Sequence, residues 1–263
     1  MPKIAFLGLG NIANAIISGL ISDSHRIIAF DPIEECRERA RDLGVSITVD
    51  NTEAVSQADI VILCVKPDVV LDLLDEISTV SLGKLFISVA AGVTTHNIQS
   101  RLSENIAIVR CMPNTPALVK TGMTALFSNP AVTTAQKSLT TEIMSAIGEC
   151  IWVDNEDALD VVTAISGSGP AYFFLMIESL ISAGIEEGLT PEVANQLVLQ
   201  TALGAAVMAK ASEVDPGTLR KQVTSPGGTT QAAIDFFQSA LFNESVIGAV
   251  QAAKARSIEL SKN

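Results

Sequence analysis

Short apolar runs alternate with stretches of helical period through the first half of this chain. Ile4–Leu7 is apolar throughout, and Asn11–Ser22 then repeats apolar residues at helical spacing. Arg26–Phe30 predicts a second strand. Ile33–Leu43 predicts a second helix, with Gly44 placed to act as its left-handed cap. A short strand follows at Ile47–Val49. Ile60–Val65 is almost wholly apolar, as expected of a strand covered on both faces. Pro67 opens the next helix, where a missing N–H costs nothing. Leu85–Val89 and Ile106–Arg110 read as further strands. This alternation predicts an α/β fold built on a doubly wound parallel sheet.

From about Leu159 the strand signal stops. Helices are predicted over Pro170–Glu187 and Val193–Ala211, the second introduced by the cap-and-proline pair Thr190-Pro191. Asp215-Pro216 repeats that device, and two more helices run from about Thr230 to Ser239 and from Glu244 to Ser261. Two domains are therefore expected, a dinucleotide-binding sheet domain over residues 1–155 and an all-helical domain over 156–263. The long helices are apolar on more than one face: Tyr172 to Ile177 are consecutive, and Leu197 to Met208 follow the same habit. A surface helix carries one apolar stripe. These helices therefore need a second subunit or a membrane around them. Asn195, Gln196, Gln200 and Thr201 argue against a membrane. A symmetric homodimer or higher homo-oligomer is expected.

Composition narrows the partners. Of 263 residues 48% are apolar, which excludes disorder, and a net charge of -12 with no basic block disfavours nucleic acid. The four cysteines, Cys36, Cys64, Cys111 and Cys150, form no C-x-x-C pair and have no histidine at metal spacing. No metal is expected, and a reduced cytoplasmic compartment is. Gly8, Gly10, Asn11, Asn14 and Ser18 interrupt the apolar N-terminal stretch, so neither a signal peptide nor a membrane anchor is expected there. His25 and His96 read as ordinary surface residues.

Two glycine-rich segments carry candidate chemistry. Gly8-x-Gly10-x-x-Ala13 follows a strand and opens a helix. The first glycine makes the turn, the second admits a pyrophosphate to the backbone, and Ala13 keeps helix and strand close. Asn11 and Ile12 start that helix. Asp31 ends the second strand, where an acidic side chain faces the adenosine ribose. Asn51 either bonds a ribose or caps the next helix. Val65, Lys66 and Pro67, and likewise Ala90, Ala91 and Gly92, follow the carboxyl ends of buried strands, where ligands bind in such sheets. The second segment is Val223-Thr-Ser-Pro-Gly-Gly-Thr-Thr230, between two helices. Its successive backbone N–H groups suit a small carboxylate.

These motifs resemble those of pyrroline-5-carboxylate reductase, the last enzyme of proline biosynthesis, over nearly the whole chain. The resemblance rests on Phe6 to Ile12, Val65-Lys66-Pro67, Ser88 to Gly92, Arg110-Cys-Met-Pro-Asn-Thr-Pro116, Ser166-Gly-Ser-Gly-Pro-Ala-Tyr172 and Val223 to Thr230. It implies a Rossmann domain followed by a helical dimerisation domain, and reduction of 1-pyrroline-5-carboxylate to L-proline by NADPH, with NADH possible. By the resemblance, Ser225, Gly227, Gly228, Thr229 and Thr230 hold the substrate carboxylate, and the Thr230 hydroxyl bonds the ring nitrogen as the catalytic contact. Glu156 stands near the ligand, and Met112, Pro113 and Asn114 line the nicotinamide pocket. Ser166 to Gly169 either touch substrate or pack helices tightly.

Two other readings stay open at this stage. A hydroxyacid dehydrogenase needs a committed acid, yet Lys210, Lys221, Lys254 and Lys262 all lie outside both motifs. A non-catalytic NAD(P)-binding regulator leaves the Ser-Pro-Gly-Gly loop without a purpose. On cofactor choice, the Asp31 carboxylate is expected to repel a 2′-phosphate and so to narrow the advantage of NADPH. Arg37 and Arg39, further along the helix, are the nearest groups able to reach back.

Overall fold

The computed structural model describes residues 2–21, 25–103 and 105–261. Its elements run β1 (Lys3–Leu7), α1 (Asn11–Leu20), β2 (Arg26–Phe30), α2 (Glu34–Asp42), β3 (Ser46–Ile47), α3 (Asn51–Ser56), β4 (Ile60–Leu63), α4 (Pro67–Ile77), β5 (Leu85–Ser88), α5 (Thr95–Arg101) and β6 (Ala107–Met112). Then come β7 (Gly122–Ser128), α6 (Thr134–Ser145), β8 (Gly148–Trp152), α7 (Ala158–Val162), α8 (Gly169–Glu186), α9 (Pro191–Ala211), α10 (Pro216–Gln222), α11 (Thr229–Ser239) and α12 (Phe242–Leu260). The expected end of the first helix, Ser22, lies outside the described residues.

The strands form one sheet in the order β3-β2-β1-β4-β5-β6-β7-β8. The first six are parallel, β7 runs antiparallel to β6, and β8 is parallel to β7. The arrangement 3-2-1-4-5-6 is that of a Rossmann sheet, with its switch point between β1 and β4. Over β1, β2, β4, β5 and β6 both faces are covered, and alternate residues of each strand enter opposite cores. Ile4, Phe6, Ile60 and Ile62 pack with α1, α2 and α6 through Ala13, Ile17, Ala40 and Ile143. Ala5, Leu7, Val61 and Leu63 pack with α3, α4 and α5 through Val55, Leu74 and Ile98. Period-2 alternation with both faces buried explains why these strands read as unbroken apolar runs. The His25 ring is nearly enclosed, with Nε2 3.9 Å from Glu142, so it is not the surface residue expected; His96 is exposed.

The chain divides into two compact units, Met1–Ser168 with Ala253–Asn263, and Gly169–Ala252. The second unit has almost no interior. Of its residues only Gly169 and Ala194 are buried. Phe173 and Phe236 are each 72% exposed, and Leu203 is 58% exposed. A Phe or Leu contributes about 1.5–3 kcal/mol when fully buried, and a lone chain leaves most of that unrealised here. By length and composition alone, the helical run Ala158–Glu186 is apolar enough to cross a membrane.

These helices are expected to be covered by a second copy. Sedimentation should find two copies or more, and Leu203→Asp should dissociate or aggregate the protein by placing a charge in the contact. A wild-type monomer at micromolar concentration, or an unchanged assembly in the variant, would show that Leu203 faces solvent.

Candidate active site

The turn after β1 is built for close approach. Gly8 sits at φ +90°, and a Cβ there would lie 2.8 Å from the Cys64 carbonyl oxygen and 2.9 Å from Val65 Cγ1. Only glycine lets β1 turn against the end of β4. Gly10 caps α1 in extended conformation with no side-chain bond, and nothing stands within 4 Å of where its Cβ would be. The first N–H groups of α1, from Asn11 and Ile12, therefore lie beside open space at a helix N-terminus, as a pyrophosphate requires. Burial pushes the nearby Cys64 thiol up to about 12, so it stays protonated and inert.

Asp31 directly follows β2 and is 8% exposed. One carboxylate oxygen accepts from Leu9 N–H at 2.7 Å, the other from Ile33 N–H at 2.9 Å. The side chain thus clasps the glycine turn to the start of α2. Arg37 reaches back to donate to the Asp31 main-chain oxygen, whereas Arg39 turns to Cys36 Sγ at 3.1 Å.

Val65 is half-buried, and Lys66 and Pro67 are exposed where α4 begins. Ala90, Ala91 and Gly92 follow β5. Gly92, with Pro67, Asp68, Leu260 and Ser261, lines a cavity of about 260 Å³. Asn51 does not cap α3; that bond comes from Asp50, whose carboxylate accepts from Glu53 N–H at 2.7 Å. The Asn51 amide instead donates to Glu76 on α4, at 3.1 and 3.2 Å.

The end of β6 meets the Ser-Gly motif. Thr163–Gly167 forms a π-helical turn between α7 and α8, a feature frequent at functional sites. Asn114 Nδ2 donates to the Ser166 carbonyl at 3.1 Å, and Asn114 Oδ1 accepts from Met123 N–H at 2.9 Å. Met112 lies against Gly167, where a Cβ would come within 2.6 Å of its methyl. Met112, Pro113 and Asn114 are thus gathered with Ser166 and Gly167, in favour of the packing role for that motif.

Glu156 is engaged within its own unit. It accepts from Thr95 N–H, Thr95 Oγ1 and Arg110 Nη1, each at 2.7 Å. The pair is mostly buried, with side-chain exposures of 10% for Arg110 and 21% for Glu156. It joins β6 to the start of α5. The signal for it was in the sequence: an arginine inside an otherwise apolar strand needs a buried partner.

In the second unit, Ser225 to Gly228 lie between α10 and α11, and Thr229 and Thr230 open α11. Gly228 N–H donates to the Ser225 carbonyl at 3.0 Å, closing a turn with Gly227 at φ +72°. Gly228 caps α11 without a side-chain bond. The first N–H groups of α11, from Thr229 and Thr230, have no capping side chain, and both threonines are exposed.

Comparison with known proteins decides the family. Pyrroline-5-carboxylate reductase of Pseudomonas aeruginosa is 43% identical over 99% of this chain and 97% of its own length. The chain belongs to the pyrroline-5-carboxylate reductase family. A family model described as pyrroline-5-carboxylate reductase dimerisation matches residues 156–260, and one described as NADP oxidoreductase, coenzyme F420-dependent, matches 3–92. The solved reductase of Coxiella burnetii is 42% identical, covers 100% of this chain and 99% of its own, and superposes with a TM-score of 0.94. That of Plasmodium falciparum, solved with NADP bound, is 32% identical, covers 99% and 98%, and has a TM-score of 0.87. A dimerisation domain accounts for the uncovered helices: the protein is a homo-oligomer.

Glu156→Ala should lower stability by about 3 kcal/mol, because it leaves a buried guanidinium unpaired. Urea unfolding measures this. A loss under about 0.5 kcal/mol, typical of surface substitutions, would mean that water satisfies Arg110.

Proposed function

We infer that the protein reduces 1-pyrroline-5-carboxylate to L-proline with NAD(P)H. Membership of the family over the full chain length carries this reading. The uncapped N-terminus of α11 supports it, since a carboxylate suits that end of a helix.

When bound, NAD(P)H would supply a hydride to the carbon of the substrate's protonated imine. The turn Gly8–Ile12 holds the pyrophosphate through backbone N–H groups, and Val65 to Pro67 and Ala90 to Gly92 flank the cofactor at the strand ends. Met112, Pro113 and Asn114 shape the nicotinamide pocket, with Asn114 positioned by its bonds to Ser166 and Met123. Ser225, Gly227, Gly228 and Thr229 grip the substrate carboxylate, and the Thr230 hydroxyl bonds the ring nitrogen. With its carboxylate engaged by Thr95 and Arg110, Glu156 acts by positioning the start of α5. Asn51, tied to Glu76, is the weakest of the cofactor assignments. The cytoplasm is the proposed compartment, in keeping with four free thiols. The domain boundary is proposed near residue 155, ahead of the helices of the dimerisation match.

No strong side-chain acid is needed to reduce a protonated imine. Reduction of a carbonyl needs one, and Lys210 and Lys221 lie in or at the ends of helices outside the loop. A hydroxyacid dehydrogenase is therefore the poorer reading.

Purified protein should oxidise NAD(P)H with 1-pyrroline-5-carboxylate and not with 3-hydroxyacid-derived ketones; the reverse preference would overturn the reading. Thr230→Ala should lower kcat/KM by roughly 10- to 150-fold, the worth of a hydrogen bond to a charged group, with nucleotide binding unchanged. Unchanged kinetics would leave Thr230 as a helix-end residue only.

A further inference from the structure

The turn between β2 and α2 carries a charge cluster that the reaction does not use. The Arg37 guanidinium donates to the Asp31 main-chain oxygen and lies 5.8 Å from the Phe30 ring centroid. Its place is thus set by β2, at the strand whose end clasps the glycine turn. Arg37 Nε and Nη2 both donate to Glu34 Oε2, the first at 3.0 Å, and Arg41 Nη1 donates to Glu34 Oε1 at 2.7 Å. Side-chain exposures are 19% for Arg37, 48% for Arg41 and 53% for Glu34. One exposed carboxylate therefore covers the forked edge of a well-held arginine and bridges it to a second.

We propose that Arg37 and Arg41 form the site that accepts a ribose 2′-phosphate, and that Glu34 is a displaceable carboxylate occupying it when that phosphate is absent. The inference rests on the dinucleotide reading of the Gly8–Ile12 turn. A phosphate monoester dianion satisfies both arginines through separate oxygens, and the Nε/Nη2 edge suits it in bidentate fashion. Exposed ion pairs are weak and readily exchanged, so expelling Glu34 is cheap but not free. A neutral 2′-hydroxyl has no power to expel a carboxylate and leaves the cluster as it stands. Discrimination between the two cofactors thus belongs to Glu34, Arg37 and Arg41. Asp31 has each oxygen on a backbone N–H group, which gives it a part in holding the turn that both cofactors share.

Calorimetric titration of the full chain with NADP+ and with NAD+, without substrate, tests this. Arg37→Leu should weaken NADP+ binding by about tenfold or more and leave NAD+ within about twofold, as for loss of a charge-assisted bond. Glu34→Gln should strengthen NADP+ binding several-fold and leave NAD+ unchanged. Arg37→Lys, which keeps the charge and loses the fork, should fall between wild type and Arg37→Leu. The same order should hold for 2′,5′-ADP against 5′-AMP. If both nucleotides bind and Arg37→Leu and Glu34→Gln leave their ratio where it was, or shift both equally, this inference fails while the cofactor reading stands. If the wild-type chain binds neither nucleotide, the cofactor reading fails and takes this inference with it.

Discussion

The helices from Gly169 to Ala252 cannot bury themselves. Helices stay in place in water largely because an apolar face is hidden, and here Phe173, Leu203 and Phe236 stay open on a single chain. The missing cover is the second copy that the dimerisation family implies. The carboxylate loop lies between α10 and α11, two helices with no buried residue of their own. Its backbone N–H groups are useful only when held still, because binding is lost to the entropy of ordering a loose loop. With the loop holding the substrate carboxylate as proposed, recognition depends on association, although Gly227 and Gly228 are the residues that shape the turn.

The sheet unit solves the opposite problem. It is thoroughly buried, so its difficulty is the polar groups it must enclose. Arg110 stands in a strand otherwise made of Ala, Ile, Val, Cys and Met. A buried charge survives only with a partner and satisfied hydrogen bonds. Glu156 provides the partner, and the same carboxylate takes the Thr95 N–H at the start of α5. Asn114 does similar work with a neutral amide, joining a β7 N–H to a carbonyl of the π-helical turn. Both contacts rigidify the end of β6, where Met112 and Pro113 lie. Alignment is the main thing a hydride-transfer site must provide.

The parallel part of the fold was legible because its strands bury both faces and so stand out as apolar runs, as Ile60–Leu63 does. The apolar pattern does not mark β7 or β8. β8 alternates half-buried and exposed residues, Gly148-Glu-Cys-Ile-Trp152, at the edge of the sheet, and offers neither an apolar run nor a clear helical period. β7 reverses direction after the Thr115–Val119 turn, and the position of that reversal depends on tertiary pairing with β6. Gly8 was legible because a positive φ packed against the Cys64 carbonyl admits nothing but glycine. What stayed hidden was the direction of long side chains. Spacing names both Arg37 and Arg39 as able to reach back to the strand end, but not which one does: Arg37 folds back to the Asp31 carbonyl, while Arg39 turns to Cys36.

The end of β2 and the start of α2 divide the labour of holding a dinucleotide in such a fold. Where a carboxylate after the second strand is open, it chooses the cofactor by charge. In this chain the same carboxylate is drawn inward and bonds Leu9 and Ile33, becoming part of the frame that shapes the glycine turn. On the proposed reading, the groups that sense a 2′-phosphate lie in the first turns of α2, where Glu34 stands at the favourable end of the helix dipole and Arg37 and Arg41 follow three and seven residues later on its face. On that reading, framing the turn and sensing the phosphate fall to different residues. A change in cofactor preference on α2 leaves intact the β1–β4 junction on which binding of either cofactor depends.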